Sequence, residues 1–199
     1  FRSFEDISVG NYWGWPEKFI ILENYIKVFQ ETSLLKYFFN SLVITIPSVI
    51  ATLFLSSLSG FSLAKHKFKG SFFIFAMFIA GNFVPAQILM IPVRDLTLKF
   101  GLYDTKLSLI LFHTAFQIGF CTFFLRGFIK EIPHELVESA RIDGASEFVV
   151  YSKIILPLIM PALAALAVLE FTFIWNDYFW ALVLVQGEEA RPITLGIQA

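Results

Sequence analysis

Four stretches of this sequence run for most of a bilayer's thickness without a formal charge. Between Lys36 and Lys65 lie about 28 such residues, and between Lys69 and Arg94 about 24, each enough to cross roughly 30 Å of hydrocarbon as helix. A third run, LSLILFHTAFQIGFCTFFL, separates Lys106 from Arg126, and a fourth, residues 154–185, is interrupted only by Glu170 and Asp177. All four are apolar on every side, which would leave a soluble helix no polar face for water. The pattern predicts an all-α, polytopic transmembrane helical bundle. Pro47, Pro85, Pro92, Pro157 and Pro161 fall within the runs, where neighbouring helices can satisfy the carbonyls that prolines free.

Residues 1–35 read differently. NYWGWPEKF mixes aromatics, Gly and Pro as a surface or interfacial segment does, and LENYIKVFQET places Tyr25, Val28 and Phe29 on one side of a helix.

Composition supports the membrane class: 57% of the 199 residues are hydrophobic, only 16% are charged, and the mean hydropathy is +0.71. A net charge of -1 argues against nucleic acid, whose partners concentrate basic residues on one face. Cys121 is the single cysteine, so neither a disulfide framework nor a cysteine metal cluster is expected. KHKFKG (Lys65, Lys67, Lys69) and the loop with Arg126, Lys130, Arg141 and Lys153 lie on one side. Residues 94–106 on the other carry Arg94, Lys99 and Lys106. The positive-inside rule then places the first side in the cytoplasm.

Between the third and fourth runs sits ELVESARIDGASEF, with four carboxylates and an arginine in fourteen positions. Pro133 suits a first helical turn, and Glu135 and Glu138 favour the positive end of that helix. Gly144, with Asp143 beside it, supplies a left-handed stop, and Ser146 can cap a second helix entering the fourth span. The expectation is a short helix, a sharp turn and another helix continuous with a span.

ELVESARIDGAS followed by KIILPLIMPAL resembles the EAA loop of the membrane subunits of ATP-binding-cassette (ABC) importers. Glu138, Ala140, Asp143, Gly144, Ala145 and Pro157 match its pattern in order and spacing, and Ser139 stands where the pattern has alanine. NSL at 40–42, VPAQILMIPV at 84–93, LRGFIKEIP at 125–133 and WNDYFWALVL at 175–184 are similar to the carbohydrate branch, of the maltose-transporter type. The resemblance implies a six-span type I importer permease in a bacterial-type inner membrane, of which four spans are expected here. Residues 1–35 would be an extracytoplasmic segment after a first span, and residues 36–199 the permease core, with its cytoplasmic coupling loop at 131–157. It further implies a second permease subunit, two ATPase subunits that bind ATP and Mg, and an extracytoplasmic sugar-binding protein. No cofactor is expected in this chain, and no G-x-x-x-x-G-K-[ST] phosphate loop occurs in it. Glu138 would meet a basic residue of the ATPase, and Gly144 would set the turn.

Intramembrane charges are costly, which makes Glu170 and Asp177 functional candidates. With Trp175 and Asn176 they form the expected substrate path or gate, because sugars are bound by aromatic faces and planar polar groups. His113 and Gln117 share a helical face, for helix-to-helix hydrogen bonding or a path. LSSLSGFSLA at 55–64 offers small residues to a close helix contact or a dimer. Two alternatives stand beside the importer. HELVE at 134–138 resembles half of a zinc-hydrolase motif, with His66 and His113 as the remaining candidate ligands, and a passive channel or scaffold would need no motor.

Overall fold

The computed structural model describes residues 33–66 and 68–197, so the expectations for residues 1–32 and for Lys67 lie outside the described residues. Every regular element among the described residues is a helix. The first, α1, runs Leu34–Lys65 without a break across Pro47. Its 32 residues span about 48 Å, more than a hydrocarbon core requires, so its ends project.

The second apolar run is not one rod. It divides into α2 (Ser71–Gly81), a 3₁₀ turn (Ala86–Leu89) and α3 (Met90–Lys99), and the two arms meet at 95°. Pro85 has no N–H to continue a helix and begins the 3₁₀ turn. The Asn82 amide donates to the Phe78 carbonyl at 2.7 Å, closing the end of α2. The third run is a single helix, α4 (Lys106–Glu131), whose N-cap Thr105 accepts the Ser108 N–H at 3.3 Å.

After α5 (His134–Ile142), the fourth run is also bent. Helix α6 (Glu147–Leu158) meets α7 (Met160–Trp175) at 71°. Pro161 lacks the N–H that the Pro157 carbonyl would accept, and its ring crowds that carbonyl. A π-helical segment, Val150–Ile155, lies just upstream. The second helix expected to continue into the fourth span is therefore broken from it by this bend. Helix α7 ends at Trp175, α8 (Phe179–Leu184) starts anew, and a last turn, α9, covers Ile193–Gly196. Among the described residues two helices, α1 and α4, are long and apolar enough to cross a membrane, and up to four spans result if each bent pair counts as one.

Helices α1 and α4 lie side by side and point the same way. Ser56 donates to the Ile118 carbonyl at 3.2 Å, Arg126 Nε to the Leu63 carbonyl at 3.2 Å, and Lys65 to the Ile132 carbonyl. The small residues at 55–64 serve this contact within the chain. Ser56, Ser57 and Gly60 are buried, and a Cβ on Gly60 would stand 3.2 Å from Arg126 N. Helix α7 runs antiparallel to α4, with Glu170 beside Cys121 and Asp177 beside His113. The core divides into two clusters. One, around Leu125, Ile129, Val137, Val150 and Ile155, lies under α5. The other, around Ile44, Leu109, Phe112, Trp180 and Leu184, lies under α8.

The loop after α8 is clamped at that second end. Asp104, at φ 60°, accepts the N–H groups of Gln186 and Gly187, both at 2.8 Å. Asn40 donates to the carbonyls of Glu189 and Arg191 at 3.1 and 2.9 Å. The Lys36 ammonium on Glu189 holds that exposed carboxyl below its usual range.

Helix α2 reaches α4 through Gly119, where an added Cβ would lie 2.7 Å from the Phe78 carbonyl oxygen, a backbone atom. Gly119→Ala should therefore destabilise the protein by about 1–3 kcal/mol. Gly127→Ala, on the same helix with nothing within 4 Å, should be neutral or stabilise by up to ~1 kcal/mol. Thermal unfolding of the two variants in detergent separates these outcomes, and equal melting temperatures would mean that α2 does not seat on α4.

Candidate functional site: a polar elbow between two spans

Two residues, Ile132 and Pro133, carry the chain from α4 into α5. Pro133 is the N-cap, at φ -51° and ψ 136°, with Glu135 in the first turn and Arg141 in the last, an arrangement that complements the helix dipole. The exit is a Schellman turn. The Ala145 N–H bonds the Ala140 carbonyl at 2.9 Å and the Gly144 N–H bonds the Arg141 carbonyl at 3.0 Å, with Gly144 at φ +83°. Nothing lies within 4 Å of a Cβ placed there, so the backbone conformation, and not space, requires glycine. Ser146 then caps α6 by accepting the Val149 N–H at 3.4 Å.

Val137 is the fully buried residue of α5 and roots the elbow in the core, with Ala140 and Ala145 packed against the same cluster. The opposite face is open. Glu138, Ser139, Asp143 and Gly144 are exposed, and so are the apolar side chains of Leu136 at 45% and Ile142 at 86%. A capped helix that shows carboxylates, small residues and two bare aliphatic side chains together is suited to a protein partner. Pro157, the last residue of the expected coupling motif, is not on that face. It sits in the final turn of α6, next to the bend at Ile159.

One set of contacts at the elbow had no signal in the sequence. Arg141 Nε and Nη2 bond the two oxygens of Glu147 at 2.8 and 3.2 Å, and His66 Nε2 lies 3.0 Å from Glu147 Oε2. Arg141 and Glu147 are six residues apart across a turn, outside the i, i+3 and i, i+4 spacings that mark helical ion pairs, and His66 is 81 residues from Glu147.

The four residues expected along a substrate path have different surroundings. Glu170 is fully buried and accepts the Cys121 thiol at 3.2 Å. Asp177 accepts the N–H groups of Trp180 and Ala181 at 3.3 and 3.2 Å, capping α8, and its Oδ2 is 3.6 Å from His113 Nε2. Ser41, Thr45, His113 and Asp177 line a cavity of about 10 Å³, the size of one water. Trp175 stacks on Phe171 and meets Phe38 edge-on. Asn176 is exposed and donates to the Thr172 carbonyl at 2.8 Å. The structure brings Asp177 and His113 together and leaves Glu170 facing α4. Gln117 is half-buried, one turn beyond His113. The histidines of the zinc alternative are separated, since His66 is held by Glu147 and His113 by Asp177, and among the described residues no three His, Cys, Asp or Glu side chains converge.

Residues 53–199 match the family described as the binding-protein-dependent transport system inner membrane component. The chain is 36% identical over 197 residues to a putative ABC transporter permease protein of Caldicellulosiruptor sp. (strain Rt8B.4), covering 99% of this chain and 71% of that protein. It is 36% identical over 179 residues to the arabinooligosaccharides transport system permease protein AraQ of Halalkalibacterium halodurans, covering 89% of this chain and 63% of the relative. Among solved structures, a bacterial ABC transporter involved in the import of the acidic polysaccharide alginate superposes with a TM-score of 0.84 at 25% identity, covering 98% of this chain and 68% of that one. With helical architecture, family match and relatives in agreement, the chain belongs to the inner-membrane components of binding-protein-dependent transport systems: it is a multi-pass ABC transporter permease of a non-catalytic family.

Proposed function

We propose that this permease imports an oligosaccharide and that its elbow, residues 131–157, is the cytoplasmic coupling element that docks on a partner ATPase. The observation that carries the reading is the Schellman-capped turn at Gly144, which joins α5 rigidly to α6 while α5 keeps Glu138, Leu136 and Ile142 exposed. A floppy loop could bind a motor but would not transmit its movement. In this reading ATP and Mg belong to two ATPase subunits, a second permease subunit completes the path, and an extracytoplasmic binding protein delivers the sugar. The basic residues around the elbow, Lys65, Arg126, Lys130, Arg141 and Lys153, support a cytoplasmic location, which makes residues 1–35 extracytoplasmic.

The sugar class rests on relatives. Besides the arabinooligosaccharide permease, they include proteins named for diacetylchitobiose uptake and alpha-glucoside transport. Trp175 and Asn176 are the path residues best placed to meet a sugar, because Glu170 and Asp177 are engaged inside the chain.

Two substitutions test the docking surface. Glu138→Lys in the assembled transporter should lower ATPase co-purification and sugar uptake together by about ten-fold or more, since it sets a like charge against a basic partner. Undiminished uptake and ATPase association would instead refute the docking role of Glu138. At the turn, Gly144→Val forces a β-branched residue into the left-handed region at a cost of about 1–2 kcal/mol, whereas Gly144→Asn is tolerated there. Sugar-stimulated ATP hydrolysis should accordingly fall several-fold in the valine variant and stay near wild type in the asparagine variant; equal rates would show that the turn does not govern coupling.

A further inference from the structure

The elbow is continuous with α6, but it is also fastened to α1. Glu147, the first residue of α6, receives Arg141 from the last turn of α5 and, on Oε2, His66 from the C-cap of α1. One carboxylate thus holds three elements. A second tie lies deeper, where the hydroxyls of Ser57 on α1 and Tyr151 on α6 are 2.6 Å apart and buried. Ser57 spends its single proton on the Phe54 carbonyl at 2.8 Å, so Tyr151 is the donor in this pair. Phe61, one turn further along α1, packs against Tyr151 and His66 with ring centroids 5.7 and 5.3 Å away, linking the two ties into one seam.

Tyr151 belongs to the π-helical segment Val150–Ile155. A π turn is wider than an α turn and re-aims its side chains, and such bulges are frequent at functional sites. Here one of the re-aimed residues is the donor to α1. No single contact in the seam is strong. The Arg141 and Glu147 side chains remain 32% and 50% exposed, a setting in which isolated ion pairs contribute little. Bidentate geometry, a shared carboxylate and a buried hydroxyl pair act on the same two helices, however, and their effects combine.

We propose that α1 is a second output of the elbow: Glu147, His66 and Tyr151 are positioning residues that make α1 move with α5 and α6 when the ATPase moves the elbow. This rests on the reading of the elbow as the ATPase docking element.

The test is a reconstituted transporter carrying Tyr151→Phe, Glu147→Gln and His66→Ala together. The first two are near-isosteric and keep the packing, so the fold should survive. Sugar moved per ATP hydrolysed should drop roughly two- to five-fold, the range expected from losing contacts of this class, while ATPase co-purification is unchanged. Restoring Tyr151 and Glu147 one at a time should recover part of the ratio each. Spin labels on cysteines at Phe68 and Phe148 add a readout that a simple loss of stability would not move. Their separation should stay constant between nucleotide-free and ATP-bound states with the seam intact and change when it is cut. An unaltered transport ratio, or labels that separate in the intact protein, overturns the proposal and leaves the docking reading standing. Loss of ATPase association in the triple variant also overturns it, because those side chains would then hold the docking face itself. Failure of the unsubstituted protein to bind any ATPase sinks the docking reading and this proposal with it.

Discussion

Hydrocarbon offers no partner to a backbone amide or carbonyl, and an unpaired one costs several kcal/mol. Among the described residues, several bends and helix ends are accompanied by a group that closes them. Asn82 takes the Phe78 carbonyl where α2 stops, and Asp177 takes the amides of Trp180 and Ala181 where α8 starts. Arg126 and Lys65 take carbonyls at the ends of each other's helices, Leu63 and Ile132 respectively. Asp104 holds two amides of the loop after α8. Bends closed this way are stiff, because opening one strands the group it had satisfied. At the elbow, backbone bonds close the exit from α5 without a side chain, so its outer face is left free for another molecule.

Much of the fold was legible as runs without charge. α1 and α4 follow from length and apolarity alone, and the glycine and serine at 144 and 146 announce the turn and cap found there. The bends were not legible, because the same residue type behaves in two ways. Pro47 is carried through an unbroken helix, where it removes a single rung. Pro157 and Pro161 sit four apart, so that the ring of one crowds the carbonyl of the other, and Pro85 follows a helix end already closed by Asn82. Proline count does not separate these cases. The spacing and the neighbouring side chains do.

Charges inside an apolar run were informative about importance but not about role. Asp177 read as a candidate for the path, and a sequence with Asn176 beside it gives no sign that the carboxylate accepts the backbone N–H groups three and four residues on, those of Trp180 and Ala181. Capping was recognisable at Ser146 because a polar stretch surrounds it; the same chemistry at Asp177 is hidden by the apolar run on both sides. The Glu147 cluster was invisible for another reason. It depends on the turn at Gly144 bringing Arg141 back toward α6 and on α1 ending beside it, a juxtaposition that no local spacing encodes.

The small residues of α1 give these contacts their reach. Ser56 and Gly60 let α1 approach α4 closely enough that a Cβ on Gly60 would crowd the α4 backbone, and α4 runs into the elbow through only Ile132 and Pro133. α1 is therefore joined to the elbow along two routes, sideways through α4 and directly through His66 and Tyr151. Two attachments at different points resist rotation as well as translation, which one attachment cannot do. The remaining joint is the 71° bend between α6 and α7, and Ile155 and Ile159 beside it are buried in the same cluster as Val137 of the elbow. Bending further there would open the core that roots α5, so movement of α5 is resisted at the joint and passes to the helices on either side of it.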